Sequence, residues 1–292
     1  MLVIASCASR PSVELASIDV DTTNASELEA EVAVAPTTTA TPTTTVGSPT
    51  TSIGDGLLAG GVDPATLVTT PRGEVVVQPT PAVLQNRQLQ SVSLLPPPAT
   101  DQYEFSIQAL EGEPLQRSTW NELCPVPAED LRYVTVSFWG FDGNHHTGEL
   151  IVAAGQADDI AGVFAQLHAV RFPIEGMRIV TPSDVVARRT GDGNNTASYV
   201  CRQVTGGTSF SEHALGLAID INPFQNPYQR NEEVIPALAS SYLDRSSALP
   251  GMIVAGDPAG DVVIAAFATI GWAWGGNWNS LKDYQHFALN NR

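Results

Sequence analysis

Positive charge is scarce in this chain. Lys282 is its single lysine, thirteen arginines supply the other cations, and 31 acidic residues bring the formal net charge to −17. That balance argues against a nucleic-acid partner and against binding an anionic surface by charge alone. Long apolar runs are also missing. No stretch of about 18 apolar residues occurs, so no transmembrane helix is expected. Cysteine is limited to Cys7, Cys124 and Cys201. Two cysteines in an exported domain most often pair, so a Cys124–Cys201 disulfide is expected, with two buried free thiols as the alternative.

Sustained periodicity is lacking from residue 8 to about residue 100. Thr37 to Thr51 is a Thr/Pro tract, and Pro96-Pro97-Pro98 closes the region. Such composition buries too little apolar surface to offset chain entropy, and its proline favours an extended spacer. Residues 8–102 therefore read as a disordered Thr/Pro-rich linker. Within it, Val75-Val76-Val77 and the run from Leu84 to Leu95 are the parts suited to a short element packed on the domain. Residues 1–7 resemble the end of a lipoprotein signal, which would make Cys7 a lipidation site and the linker a tether from membrane to cell wall. A basic n-region is missing and the apolar part is short; the alternative is a cytosolic protein with one incidental cysteine.

Folded structure is expected over 103–292. Leu131 to Trp139 alternates as a strand does. Asp142-Gly143 is a turn signal, which places His145 and His146 in a solvated turn and makes Glu149 to Ala153 the returning strand. Ile160, Val163, Phe164, Leu167 and Val170 are spaced for one helix face, with His168 off the stripe and at the surface. Met177 to Val180 reads as another strand and Thr190 to Thr196 as a loop. Glu232 to Leu243 reads as a surface helix. Asp261 is a candidate cap for a buried apolar helix that Gly271 ends.

The most informative stretch is Ser211-Glu212-His213-Ala214-Leu215-Gly216-Leu217-Ala218-Ile219-Asp220. A carboxylate between Ile219 and Ile221 is costly to bury unless it is paired or holds a metal. On a strand, Leu217, Ile219 and Ile221 share one face and Ala218, Asp220 and Asn222 the other. His213 lies an odd number of residues before Asp220, and Gly216 offers the bend that would bring the two together. A third donor is His286, in Asp283-Tyr284-Gln285-His286-Phe287, which follows Trp274-Gly275-Gly276-Asn277-Trp278. Two histidines and one carboxylate with an open fourth position suit a catalytic zinc site. Asp283, three residues before His286, suits a base beside the metal.

These three pieces, S-x-H-x-x-G-x-A-x-D, W-G-G-x-W and D-x-x-H-F, resemble in this order the zinc D,D-carboxypeptidase and L-alanyl-D-glutamate endopeptidase family. That family is grouped with lysostaphin-type peptidases and the hedgehog signalling domain, and it cleaves peptidoglycan stem peptides. The resemblance covers roughly residues 120–292. It implies one zinc ion on His213, Asp220 and His286, Asp283 as catalytic base and Ser211 as a substrate contact. It also implies an α+β fold of hedgehog type, a small antiparallel sheet with helices against it and the metal on one sheet face. Carboxypeptidase members often carry Glu where Asp283 stands, so the Asp form looks closer to the endopeptidase branch.

Family members place an arginine before the S-x-H motif to hold the oxyanion, and Arg202 stands there; the alternative is an ordinary salt bridge. The tryptophans, Trp274 among them, are expected either as core or as walls of the substrate cleft. The expected protein is thus an extracytoplasmic, monomeric peptidase acting on wall peptides, either at terminal D-Ala or at L-Ala-D-Glu. A non-catalytic zinc-containing wall-binding lipoprotein is the rival reading.

Overall fold

The long alternating runs at 131–139 and 145–153 pair over nine residues each and make the main hairpin. In a computed structural model that describes residues 58–91, 93–204 and 207–290, the strands are β1 (Phe105–Ala109), β2 (Leu131–Trp139), β3 (His145–Ala153), β4 (Ala218–Asp220), β5 (Tyr228–Arg230), β6 (Glu233–Ile235), β7 (Ala273–Trp274), β8 (Lys282–Asp283) and β9 (His286–Ala288). The α-helices are α1 (Gly112–Arg117), α2 (Ala157–Ala169), α3 (Pro182–Val186) and α4 (Pro258–Thr269). The strands form three antiparallel sheets of three, ordered β1-β2-β3, β4-β9-β7 and β6-β5-β8. Helices on small antiparallel sheets are the α+β arrangement the sequence led us to expect. No helix among the described residues is long and apolar enough to cross a membrane.

The core explains the order of the elements. Val134, Val136, Phe138, Leu150 and Val152 of the hairpin face Ile160, Val163, Phe164 and Leu167 of α2. The same cluster takes in Val263, Ala266 and Phe267 of α4, and Ile219 and Phe287 of the second sheet. Asp158 and Asp159 in the first turn of α2 lie where the helix dipole favours negative charge. The other hairpin face is covered too, by a cluster of Tyr133, Ile151, Ile179 and Tyr199. With both faces buried, the hairpin is a rigid slab on which the smaller sheets rest.

Several expectations need correction. His145 and His146 begin β3 rather than the turn, because Gly143 adopts φ 73° and closes the bend within 140–144. His146 is buried, with Nε2 3.0 Å from Asp142 Oδ1 and Nδ1 2.6 Å from Ser93 Oγ. His168 is half-buried, its ring 4.8 Å from that of His145. Met177 makes only an isolated bridge to Thr196, not a strand. Residues 232–243 are not a helix: Pro236, which has no N–H to donate, interrupts them, and β6 is followed by a 3-10 turn at Ser240–Leu243. Asp257, not Asp261, caps α4: its Oδ2 accepts from the N–H groups of Ala259 and Gly260, with Pro258 in the first turn.

The expected linker over 8–102 also differs in its second half. Thr37 to Thr51 and Cys7 lie outside the described residues. From Leu58 onward the chain packs against the domain. Leu84 is fully buried in a cluster with Phe224, Leu238 and Tyr242. Arg87 is 3% exposed; its Nε lies 2.7 Å from Glu175 Oε2, and its Nη1 donates to the Asp192 carbonyl at 2.7 Å. The segment carries no period because it is held by single anchors separated by proline and polar residues. The Cys124–Cys201 disulfide is present and closes a loop of 77 residues.

Glu149 shows how a buried charge is tolerated in this slab. Its carboxylate accepts from Arg117 Nη1 and Nη2, both at 2.6 Å, from Tyr133 Oη at 2.8 Å and from the Ile179 N–H at 3.3 Å. Burial alone would push this carboxyl up, but the Arg117 guanidinium and the Tyr133 hydroxyl outweigh it and hold the group below its ordinary value. A folded-state value below the unfolded one means stability that is complete at neutral pH and is lost as pH falls below about 4. Glu149→Gln is therefore expected to cost about 3 kcal/mol at pH 7. The gap from wild type should narrow as denaturant melts are repeated toward pH 3; a pH-independent gap would contradict the assignment.

Candidate metal and catalytic site

Strand pairing delivers two of the expected ligands. β4 and β9 run antiparallel with Asp220 directly opposite His286 and Ile219 opposite Phe287. The period of two then sends Ile219 and Phe287 into the core and turns Asp220 and His286 together to the other face. His286 Nδ1 lies 3.0 Å from Asp220 Oδ1. On its other side Asp220 bridges Ala197, which donates its N–H to the Asp220 carbonyl at 3.1 Å and accepts from the Asp220 N–H at 2.9 Å.

His213 reaches the pair from a 3-10 turn, Glu212–Leu215. Ser211 caps that turn, its Oγ accepting from the His213 N–H. Gly216 ends it at φ 68° and so supplies the bend foreseen from the sequence. A Cβ at Gly216 would lie 2.5 Å from the Ala153 nitrogen, so the turn also presses onto the end of β3 as no other residue would allow. His213 Nε2 lies 3.3 Å from Asp220 Oδ2. His213 Nδ1 bonds the Ser198 carbonyl, and Ser198 Oγ in turn bonds the backbone of Ile151 in β3. A carbonyl partner fixes the proton on Nδ1 and leaves Nε2 as a lone-pair donor, a common support for a metal-bound histidine.

The donor set fits a divalent cation. One ligand atom from each of His213, Asp220 and His286 lies within 4.8 Å of the others. The two histidines approach different oxygens of the Asp220 carboxylate, His213 Nε2 at 3.3 Å from Oδ2 and His286 Nδ1 at 3.0 Å from Oδ1. The carboxylate thus lies between the two imidazoles, and imidazole and carboxylate are donors that zinc takes. The Nε2 atom of His286 is buried with no hydrogen-bond partner, so the ring keeps a nitrogen free for further ligation or for solvent. Burial tends to push the Asp220 carboxyl up, yet His213, and after it His286, hold it far below the ordinary range.

Asp283 stands beside this group. β8 pairs with β5, Asp283 opposite Tyr228. A Cβ on Gly275 would lie 2.6 Å from the Asp283 carbonyl oxygen. The glycine of the W-G-G-x-W motif thus lets the chain pass close over Asp283. Oδ1 of Asp283 is buried without a partner. Burial first, and then the neighbouring Asp220 charge, push this carboxyl up to about 7, with His286 pulling the other way.

Two arginines line the cavity of about 380 Å³ that contains His213 and Asp220: Arg178 and Arg202. Arg178 is committed, donating from Nη1 and Nη2 to Asp184 at 2.7 and 2.8 Å. Arg202 bonds the carbonyl of its neighbour Gln203 and forms no ion pair among the described residues. It follows Cys201, so the disulfide pins the backbone that carries it.

Residues 205–289 match the family model of D-alanyl-D-alanine carboxypeptidases. This is the M15 family of zinc peptidases, and the match shows the resemblance read from the motifs. It covers less than half of the chain. His213, Asp220, Asp283 and His286 fall within it, whereas Ser198 and Arg202 lie just ahead of it. No curated protein and no solved structure matches the chain.

Of the expected site residues, Trp274 takes the first of its two possible roles. It is 6% exposed, sits in the core cluster, and donates its indole N–H to the Tyr284 carbonyl at 2.8 Å. Trp278 lies nearer the site, its ring 5.5 Å from that of His286. Ser211 is buried, with its hydroxyl used in capping the His213 turn. His145 and His146 take no part in the group. Ser198 was not foreseen, and a lone serine in an unpatterned segment offered no signal.

Proposed function

We propose that this chain is a zinc-dependent peptidase that hydrolyses an amide bond of peptidoglycan stem peptides outside the cytoplasm, on a domain of hedgehog type. The observation that carries the reading is the cross-strand Asp220–His286 pair met by His213, with Asp283 alongside, its buried Oδ1 without a hydrogen-bond partner. Bound to His213, Asp220 and His286, zinc would supply Lewis acidity, polarising the scissile carbonyl and lowering the pKa of a water to roughly 7. Asp283 takes the proton of the attacking water and passes it to the leaving amine, a role that a carboxyl raised toward neutrality suits. Arg202 donates to the oxygen on which negative charge develops, being the arginine of this cavity that forms no ion pair among the described residues. Ser198 and Ser211 hold His213 in place rather than touch substrate.

The family match favours carboxypeptidase action on terminal D-Ala; an aspartate at 283 favours the endopeptidase branch. Digestion of purified peptidoglycan followed by mass analysis of the muropeptides separates them. Released D-alanine identifies the first, and a new amino terminus on D-Glu the second. Binding to sacculi with neither product would leave only the non-catalytic wall-binding reading. That reading gives no account of Asp283 beside the ligand group.

A further inference from the structure

The cavity around His213 and Asp220 has a neighbour. A second cavity of about 710 Å³ shares Arg178, Asp184, Gly193, Ile235 and Pro236 with it. Val75, Val76 and Val77 help to wall the second cavity, and Arg188 and Arg189 also line it. The valines belong to the N-terminal segment that composition alone reads as linker. Val75 is tied in by its N–H, which donates to the Arg189 carbonyl at 3.2 Å.

We propose that the two cavities form one cleft, and that the second receives the distal part of an extended acidic peptide whose scissile bond lies at the metal group. Three observations carry this. The two cavities adjoin, with five lining residues in common, and the second is the larger. Its walls offer Val75, Val77, Ile235 and Pro236 for apolar side chains. Arg188 and Arg189 are exposed and form no ion pair among the described residues, in a chain of net charge −17. Glu74 and Glu233 line the same cavity. The contact expected is therefore local pairing of one arginine with one carboxylate of the ligand, not a general pull on anions. Every residue of this outer cavity precedes residue 205 or comes from 233–237, so the valine wall and both arginines lie outside the matched family segment.

The proposal rests on the peptidase reading, and the test keeps the two apart. The zinc-loaded full chain is assayed on a short peptide with two residues on each side of the scissile bond. It is assayed also on a stem peptide lengthened by an acidic residue and two apolar ones. The wild type is expected to favour the long peptide at least tenfold in kcat/KM. Val77→Trp, which fills the outer cavity, and Arg189→Glu, which reverses an exposed charge, are each expected to cut that preference at least fivefold through KM. An equal long-to-short ratio in all three proteins overturns the cleft while leaving the peptidase intact. Calorimetric binding of the long peptide to the zinc-loaded Asp283→Asn protein, with and without each change, reads the cleft without turnover. Fivefold weaker binding in both variants supports it even if nothing is cleaved, in which case the peptidase reading alone falls. Unchanged binding in both overturns it.

Discussion

Asp283→Asn is expected to lower kcat by about 10² to 10⁴, the usual contribution of a positioned general base, while the bound metal stays at one equivalent. The change keeps the shape of the side chain and removes only its ability to take a proton. Metal analysis by mass spectrometry and turnover on stem peptides check the two halves separately. The pH dependence gives a second handle. With the carboxyl raised to about 7 in the metal-free site, Asp283 is protonated at low pH and cannot accept, so the rate must climb as pH rises. A nearby cation favours the charged carboxylate. The midpoint of the acid limb in kcat/KM should therefore fall between the ordinary value of about 4 and about 7. That limb should be missing from the residual activity of Asp283→Asn. A wild-type rate in the variant would remove Asp283 from the mechanism.

Chelation of the metal is expected to abolish turnover and to lower thermal stability together. His213, Asp220 and His286 converge within 4.8 Å, and Asp283 adds a second carboxylate beside Asp220. A cation that binds only the folded form stabilises it by about 4 kcal/mol when its concentration is about a thousand times Kd. Removal should therefore drop the melting temperature by several degrees, and one equivalent of zinc should restore both properties. His286→Ala should show the lower melting temperature even with zinc present, because one corner of the donor set has gone. Full stability of the wild type after exhaustive chelation, with no change on adding zinc back, would mean that no ion is held there.

The meeting of His213, Asp220 and His286 was legible because its chemistry is local and period-bound. Asp220 stands out as a charge between two isoleucines, and Gly216 as the one residue able to turn His213 toward it. The β2–β3 hairpin and α2 were legible for the same reason: their apolar spacing repeats. What escaped depends on contacts distant in sequence. The packing of Leu84 and Arg87 rests on Tyr242, Glu175 and Phe224, far along the chain. A proline such as Pro236 outranked the apolar pattern that suggested a helix at 232–243. The returning strand was placed four residues late, at Glu149 rather than His145, since a turn signal marks where a chain bends but not how tightly. Ser198 acts through a main-chain carbonyl, which carries no imprint of residue type.

The direct facing of Asp220 and His286 across two strands of three residues each has a consequence for assembly of the molecule. Slipping that pairing by one position would rotate Phe287 out of the interior and point His286 into it. The same error would scatter the donors, so a misaligned chain would hold no ion. A cation held by His213, Asp220 and His286 would therefore bind only where β4 and β9 have paired in the proper frame.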